Sequence, residues 1–169
     1  MLSTKLQTAD NKNPKIYLED SAMNLTFGEN LNRAIAASRT EAIRLGHLFI
    51  NTDDLLLGIL SIDGDESVAT LQHSGCDIGQ LQKEIENDSF RQQVDANAAA
   101  VSGLTLQSNR NVMLTDLTER VMNDGMQRAF NSNIGQFTTR HLMQAILADA
   151  RNPAAERMMK YGVTTATFA

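Results

Sequence analysis

The chain has 169 residues, of which 42% are apolar, so it is long enough to bury the core of one compact domain or of two small ones. Its formal net charge of -5 argues against nucleic-acid binding, because phosphate contacts need clustered Lys and Arg. No apolar run approaches the roughly eighteen residues of a membrane span, and the N-terminus lacks the pattern of a secretory signal.

Composition also favours helices and a reducing compartment. Aromatic residues make up 5% of the chain and Trp is absent, which suits helices better than a β-sandwich. Cys76 is the only cysteine, so no internal disulfide can form, as is typical of the cytoplasm. We expect a helical, cytoplasmic protein in which residues 1–24 are a poorly ordered lead-in.

The first half carries the pattern of four amphipathic helices. Apolar residues recur at helical spacing from Phe27 to Leu45, and Gly46 follows at the position that a helix C-terminus prefers. Thr52 is a suitable N-cap for a second helix, with Asp53 and Asp54 in the first turn, where the helix dipole favours anions. Two further helices follow before a polar connection.

The second half repeats this plan 87 residues later. Identities at this shift are the pairs Arg33 and Arg120, Ala42 and Ala129, Thr52 and Thr139, Leu55 and Leu142, Ile59 and Ile146, Leu60 and Leu147, and Gly75 and Gly162. Each copy needs the other to bury its apolar face. We predict an all-α, pseudo-twofold duplicated four-helix repeat of about eight helices. The domain spans 25–169, with repeat one at 25–90, a linker at 91–113 and repeat two at 114–169.

Repeat two is short at its end, because only VTTATFA follows Gly162. The sequence therefore predicts a rudimentary eighth helix, or a missing final turn that leaves an apolar groove open for a partner helix.

The first repeat resembles the repeat of the Clp N-terminal domain, which caps the AAA+ unfoldases of the Clp protease and disaggregase systems. The matching residues are Phe27, Glu41, Ala42, Arg44, Leu45, Gly46, His47, Thr52, Leu55, Leu56, Leu57, Gly58, Gly75 and Asp77. The more diverged second copy matches in Thr139, His141, Leu142, Ile146, Leu147, Gly162 and Val163.

The resemblance implies an eight-helix domain that binds adaptors, substrates or degradation signals and performs no chemistry. This chain has no GxxxxGK[ST] loop for nucleotide phosphates, so it does not contain the ATP-hydrolysing motor. Two versions stay open: a free-standing protein that modulates a Clp unfoldase, and the front end of a longer unfoldase.

Some domains of this kind hold phosphoarginine in each repeat, between an acidic residue and a Thr. At these places repeat one has Asp53 and Gly28, and repeat two has Arg140 and Thr115. An Arg in place of the carboxylate repels a guanidinium, so phosphoarginine recognition is not expected there, and Asp53 is the better of the two acidic positions.

For partner binding the sequence points to the start of repeat one. From residue 25 to 90 there are eleven Asp or Glu against four Lys or Arg, whereas 114–169 is nearly neutral. An acidic surface steers basic peptides. We predict that Glu29, Arg33, Asp53 and Asp54 bind a protein or peptide partner; the alternative is an ordinary solvated face.

Other functions are weighed against this one. His47 or His141 could serve a small hydrolase, but no suitably placed nucleophile is apparent. His73 and Cys76 could form half of a zinc site, yet further ligands are not apparent, so we expect no metal and no cofactor. A purely structural helical module that dimerises is the remaining alternative; we expect a monomer or weak dimer.

Overall fold

The computed structural model describes residues 25–99 and 112–169, with the side chains of 25–90 and 112–169. The predicted lead-in, 1–24, and residues 100–111 of the predicted linker lie outside the described residues. In chain order the elements are β1 (Thr26–Phe27), α1 (Glu29–Arg44), β2 (Phe49–Ile50), α2 (Thr52–Leu60), α3 (Glu66–His73), α4 (Ile78–Ala99), β3 (Met113–Leu114), α5 (Asp116–Asn131), β4 (Gln136–Phe137), α6 (Thr139–Ala148), α7 (Pro153–Lys160) and a 3-10 helix (Thr165–Phe168).

The second half repeats the element bounds of the first. Four of its elements, β3, α5, β4 and α7, begin and end 87 residues after β1, α1, β2 and α3, and α6 is one residue longer than α2. Even the left-handed residue that ends the first helix recurs, at Gly46 with φ 72° and at Asn133 with φ 57°. The predicted all-α class and its duplication are therefore confirmed.

Two short parallel strand pairs join the repeats, and the sequence pattern did not predict them. β1 pairs with β4, so that Thr26 lies beside Gln136, and β2 pairs with β3, so that Phe49 lies beside Met113. Each strand has only two residues, too few for an alternating pattern to show. Each pair takes one strand from each repeat, which brings the start of one repeat next to the middle of the other.

The core of each repeat is a pair of helices in close contact. α1 packs on α2 and α5 packs on α6. At Gly58 of α2 an added Cβ would lie 2.8 Å from the backbone nitrogen of Ser38 and closer still to the carbonyl oxygen of Ala34. Only glycine lets the two helix backbones of repeat one approach this closely.

The C-terminus forms a 3-10 helix of four residues in the place of an eighth α-helix, as the shortened repeat predicted. Its Phe168 is fully buried and packs this helix onto α3 and α6. The open apolar groove offered as the other possibility is therefore wrong, because Phe168 fills the space.

One predicted helix cap is displaced by a residue. α2 begins at Thr52, and the N-cap is Asn51, whose side chain accepts a hydrogen bond from the backbone nitrogen of Asp54. Asp54 in turn accepts from the backbone nitrogen of Asn51 at 2.9 Å, which completes a capping box. Asp53 and Asp54 do lie in the first turn, as predicted.

Candidate partner-binding site

The four residues predicted to bind a partner do not share one surface. Glu29 and Arg33 lie one turn apart on the exposed face of α1. Asp53 and Asp54 are buried in the first turn of α2. Their carboxylates bind other side chains of the protein, so of these four residues Glu29 and Arg33 are the ones exposed to a partner.

Asp54 is fully buried and binds His47. The Nδ1 of His47 lies 2.9 and 3.0 Å from the two carboxylate oxygens, so the ring donates a hydrogen bond to the carboxylate. Together with the capping box, this contact fixes the loop between α1 and α2 to the N-terminus of α2. Asp54 therefore has a structural role in the described fold.

Asp53 binds an arginine from the other repeat. The Nε of Arg157, on α7, lies 3.1 and 3.2 Å from the Asp53 oxygens, and its Nη1 lies 2.6 Å from Asp88 on α4. Burial raises the pKa of the Asp53 carboxyl above its usual range, against the opposing effect of Arg157. Burial tends to lower the pKa of Arg157, but its bonds to Asp88 and Asp53 prevail and raise it. This cluster ties α2, α4 and α7 together.

Sequence reasoning missed Arg157 and Asp88 because their partner lies far away in the chain. Arg157 is 104 residues from Asp53 and 69 from Asp88. The local pattern around Arg157 predicts only a basic last helical turn, where a cation favours the helix dipole. Nothing in that pattern points to a buried carboxylate.

Each of the two positions compared with phosphoarginine sites lies beside residues of the other repeat, because each strand pair takes one strand from each repeat. Gly28 follows β1 and lies beside Thr138, two residues before Arg140. Thr115 follows β3, and its backbone nitrogen donates to the carbonyl of Ile50, three residues before Asp53. The acidic position of each repeat therefore lies near the Thr position of the other repeat.

Both of these places are occupied from within. Arg157 donates a hydrogen bond to the carboxylate of Asp53. The hydroxyl of Thr115 accepts a hydrogen bond from the backbone nitrogen of Thr118 at 3.2 Å and so caps α5. Arg140 donates to Glu66 at 3.2 Å and to the carbonyl oxygen of Ala169 at 2.8 Å. Neither place offers an unpaired carboxylate for a guanidinium.

An acidic cleft of about 370 Å³ lies between the repeats, where α1, α3 and α6 begin. Glu29 and Glu66 are at its exposed rim, and Asp65 is buried at its base. Gln136 and Thr138 line the side that belongs to repeat two. Of the four predicted residues, Glu29 is the one that lines this cleft, and Arg33 lies one turn further along α1.

A buried hydrogen-bond network holds the base of this cleft. Thr139 donates to the Asp65 carboxylate, with its hydroxyl 3.0 Å from both oxygens, and receives a 3.0 Å bond from Ser67. Asp65 also accepts from the backbone nitrogen of Ser67 at 2.8 Å and from the Asn30 amide at 3.1 Å. Because these polar groups are paired, the cleft has a fixed shape.

The predicted hydrolytic residues lack the geometry of a catalytic site. His47 has its Nε2 buried and without a hydrogen-bond partner among the described residues, so this nitrogen faces neither a nucleophile nor solvent. The Nε2 of His141 lies 3.3 Å from Ser132, but its Nδ1 accepts the backbone N–H of Thr138 as a helix cap. Both histidines are parts of helix ends.

The half zinc site is not assembled either. The Nδ1 of His73 lies 2.6 Å from the carbonyl oxygen of Ala69 within its own helix, and Cys76 is buried. Burial raises the pKa of the Cys76 thiol, which keeps it protonated and inert. Across residues 25–99 and 112–169, no group of three His, Cys, Asp or Glu side chains is placed to hold a metal ion. In the same ranges no helix combines the length and apolarity needed to cross a membrane.

Comparison of sequences supports the predicted resemblance. The chain is 23% identical over 138 residues to the chaperone protein ClpB of Oceanobacillus iheyensis, which is 82% of this chain and 16% of that protein. It is 24% identical over 138 residues to the negative regulator of genetic competence ClpC/MecB of Bacillus subtilis, which is 82% of this chain and 15% of that protein. The chain thus spans about one sixth of these relatives, in their N-terminal region. No family model matches the sequence.

Comparison of structures gives the same fold. The N-terminal domain of the caseinolytic-protease-associated chaperone ClpD of Arabidopsis thaliana superposes with a TM-score of 0.57 at 20% identity, over 84% of this chain and 94% of that one. A chain from structural work on a malarial protein secretion system reaches a TM-score of 0.67 at 11% identity, over 84% and 88%. The predicted resemblance to the Clp N-terminal domain is confirmed, and the chain has that fold.

Proposed function

We propose that this chain is a non-catalytic protein-recognition module of a Clp-type, ATP-dependent unfoldase or protease. It binds an adaptor, a substrate segment or a degradation signal, while the energy-consuming step takes place on the ATPase. The observation that carries the proposal is the acidic cleft between the repeats, with Glu29 at its rim and a rigid polar base. The similarity to ClpB and ClpC/MecB supports the choice of partner system.

The cleft is suited to a basic side chain of a protein partner. Glu29 and Glu66 place carboxylates at the rim, where Glu66 also accepts a hydrogen bond from Arg140, and the buried Asp65 adds negative charge at the base. Repeat one as a whole carries eleven acidic against four basic residues, so its field attracts basic segments before contact. Arg33 adds one positive charge next to the rim and favours a partner in which an acidic residue follows the basic one.

Asp53 and Asp54 support this surface without touching the partner. Asp54 holds the start of α2 through His47, and Asp53 holds α2 to α7 through Arg157. α1, which carries Glu29 and Arg33, packs directly on α2. In this proposal the four predicted residues divide into a contact pair and a supporting pair. We place the protein in the cytoplasm, as a monomer or weak dimer.

The test uses ATP-dependent degradation of an unfolded reporter protein by a purified Clp ATPase and its peptidase from the same cell. Adding the wild-type chain is expected to change the degradation rate. The double charge swap Glu29→Lys with Arg33→Glu should abolish that change, because it inverts the rim.

The duplication supplies a matched control. Asp116 and Arg120 stand at the equivalent exposed positions of α5, so Asp116→Lys with Arg120→Glu makes the same change at the same helix positions of repeat two. We expect this variant to act as the wild type does. If both charge swaps reduce the change in degradation rate equally, or if neither swap reduces it, the cleft does not bind the partner. Hydrolysis of a substrate by the chain alone would overturn the non-catalytic assignment.

A further inference from the structure

The two strand pairs that join the repeats are equivalent in the duplication but differ in their exposed residues. Thr26 and Gln136 form the polar pair, and the positions 87 residues away, Met113 and Phe49, form an apolar pair. Met113 is 67% exposed and Phe49 is 49% exposed. The pair of β1 and β4 thus carries polar side chains at the positions where the equivalent pair of β3 and β2 carries large, exposed apolar ones.

This apolar strand surface consists of Leu48, Phe49 and Met113. Leu48 precedes Phe49 in the chain and is also about half exposed. At the same end of α1, a cleft of about 300 Å³ between α1 and α4 is lined by Leu45 and by Phe90, which is mostly exposed. Large apolar side chains that gather on one surface mark interaction sites more often than single exposed ones do.

The size of the surface decides against a second copy of the chain as its occupant. Three half-exposed to two-thirds-exposed side chains of this size present on the order of 300 Å² of apolar area. A stable dimer needs about 800 Å² from each partner. The surface matches instead one or two apolar side chains of a short segment.

Charge indicates what else that segment carries. An exposed acidic residue, Glu119, lies in the first turn of α5, which follows the apolar strand. Glu86 lines the neighbouring cleft and is partly offset by its 2.6 Å contact with Arg44. An acidic border around an apolar centre favours a segment in which basic residues flank large apolar ones.

We propose that Leu48, Phe49 and Met113 form a second docking surface, which binds a short amphipathic segment of a partner protein with Lys or Arg beside one or two large apolar residues. It lies beyond the C-terminal end of α1, whereas Glu29 lies at its start. A helix of 16 residues separates the two ends by roughly 24 Å. The surface is therefore separate from the acidic cleft, and peptide contacts at Phe49 and Met113 distinguish it from a basic segment bound at the cleft.

The probe is a synthetic amphipathic peptide of about fourteen residues, rich in Leu and Lys, beside a second peptide in which Glu replaces every Lys. Binding is measured by isothermal titration calorimetry. The test variant Phe49→Gln with Met113→Thr gives each position the residue of its polar counterpart. Ile134→Thr is the control, because Ile134 is a similarly exposed apolar residue of repeat two at 65%.

We expect the Lys peptide to bind the wild type, the Glu peptide to bind much more weakly, and the double variant to lose about tenfold or more in affinity. Ile134→Thr should bind as the wild type does, and in Glu29→Lys the amide chemical shifts of Phe49 and Met113 should still move when the Lys peptide is added. Because the substituted residues are exposed, circular dichroism should show unchanged helix content and melting. If the double variant fails to fold, amide chemical shifts of the wild type must still move at Phe49 and Met113 when the Lys peptide is added.

Unchanged binding by the double variant would overturn the proposal, as would equal binding of the two peptides. Amide chemical shifts of Phe49 and Met113 that no longer move in Glu29→Lys would overturn the claim of a separate surface. A dimer of the wild type in light scattering that disappears in the double variant would show that a second copy is the occupant.

Discussion

The first turns of α2 and α6 occupy equivalent positions in the two repeats but are closed by different chemistry. In repeat one the third residue of the helix is Asp54, which accepts from the backbone nitrogen of Asn51 and from His47. In repeat two it is His141, whose Nδ1 accepts from the backbone nitrogen of Thr138 at 3.2 Å. An anion caps one helix and a neutral imidazole caps the other.

This difference shows how a duplicated fold keeps its backbone while its two halves acquire different charges. Both caps satisfy the same unpaired N–H groups of a helix start. Only the first adds a negative charge, and it is one of the eleven acidic residues of repeat one. The requirements of the backbone fix where a cap stands, and the side chain that provides it is free to differ.

The largest difference between the repeats should appear at the tight helix contact. Gly58→Ala places a methyl group against backbone atoms of α1 that cannot move independently, so we expect a loss of about 3 kcal/mol in the free energy of unfolding. Repeat two has Ala145 at the equivalent position, and Ala145→Gly should cost only about 1 kcal/mol. Urea unfolding of both variants measures this; a Gly58→Ala protein as stable as the wild type would show that the helices have room.

A second comparison is between a buried and an exposed ion pair. The pair of Arg157 in repeat two and Asp53 in repeat one is shielded from water. Arg157→Ala leaves Asp53 buried beside no cation, and we expect a loss of about 2 kcal/mol at neutral pH. Arg128→Ala is the comparison, because its partner Asp124 and Arg128 itself are each more than a third exposed. That change should cost less than about 0.5 kcal/mol. Equal losses in thermal or urea unfolding would contradict a structural role for the Asp53 pair.

The smallest effect on stability should come from His141, whose imidazole caps the start of α6. Burial, and then the charge of Arg140, lower the pKa of His141 below its usual 6.5. As pH falls below about 6.5, the unfolded chain takes up a proton at this residue before the folded one does, so stability is full above that pH and declines below it.

His141→Gln tests this point by removing the titrating group. The difference in unfolding free energy between pH 7.5 and 5.5 should be smaller in the variant than in the wild type. A difference of the same size in both proteins would show that other groups cause the acid sensitivity.

Much of the fold could be predicted from the sequence, because helices leave a long periodic signal and the duplication repeats it. The offset of 87 residues recurs in the bounds of four element pairs. The strand pairs are too short to leave a pattern, and Thr52 and Asn51 are similarly suitable caps until the bonds of Asp54 decide between them.

The candidate site was harder to predict, because it depends on contacts that are distant in the chain. Asp53 and Asp54 stand in a first turn, where acidic residues are usually solvated, and only the fold reveals Arg157 and His47 beside them. No local sequence pattern around Asp65 and Glu66 indicates that they line a cleft. Their position on the cleft follows from the crossing of the strand pairs, which brings α6 beside α3.

The most direct measurement is the ratio of the affinities of the two charge-swapped variants for the Clp partner, by calorimetry at physiological salt. We predict that Glu29→Lys with Arg33→Glu binds at least about tenfold more weakly than Asp116→Lys with Arg120→Glu, which should match the wild type. A ratio near one would mean that the repeats do not differ in partner binding and would contradict the central claim.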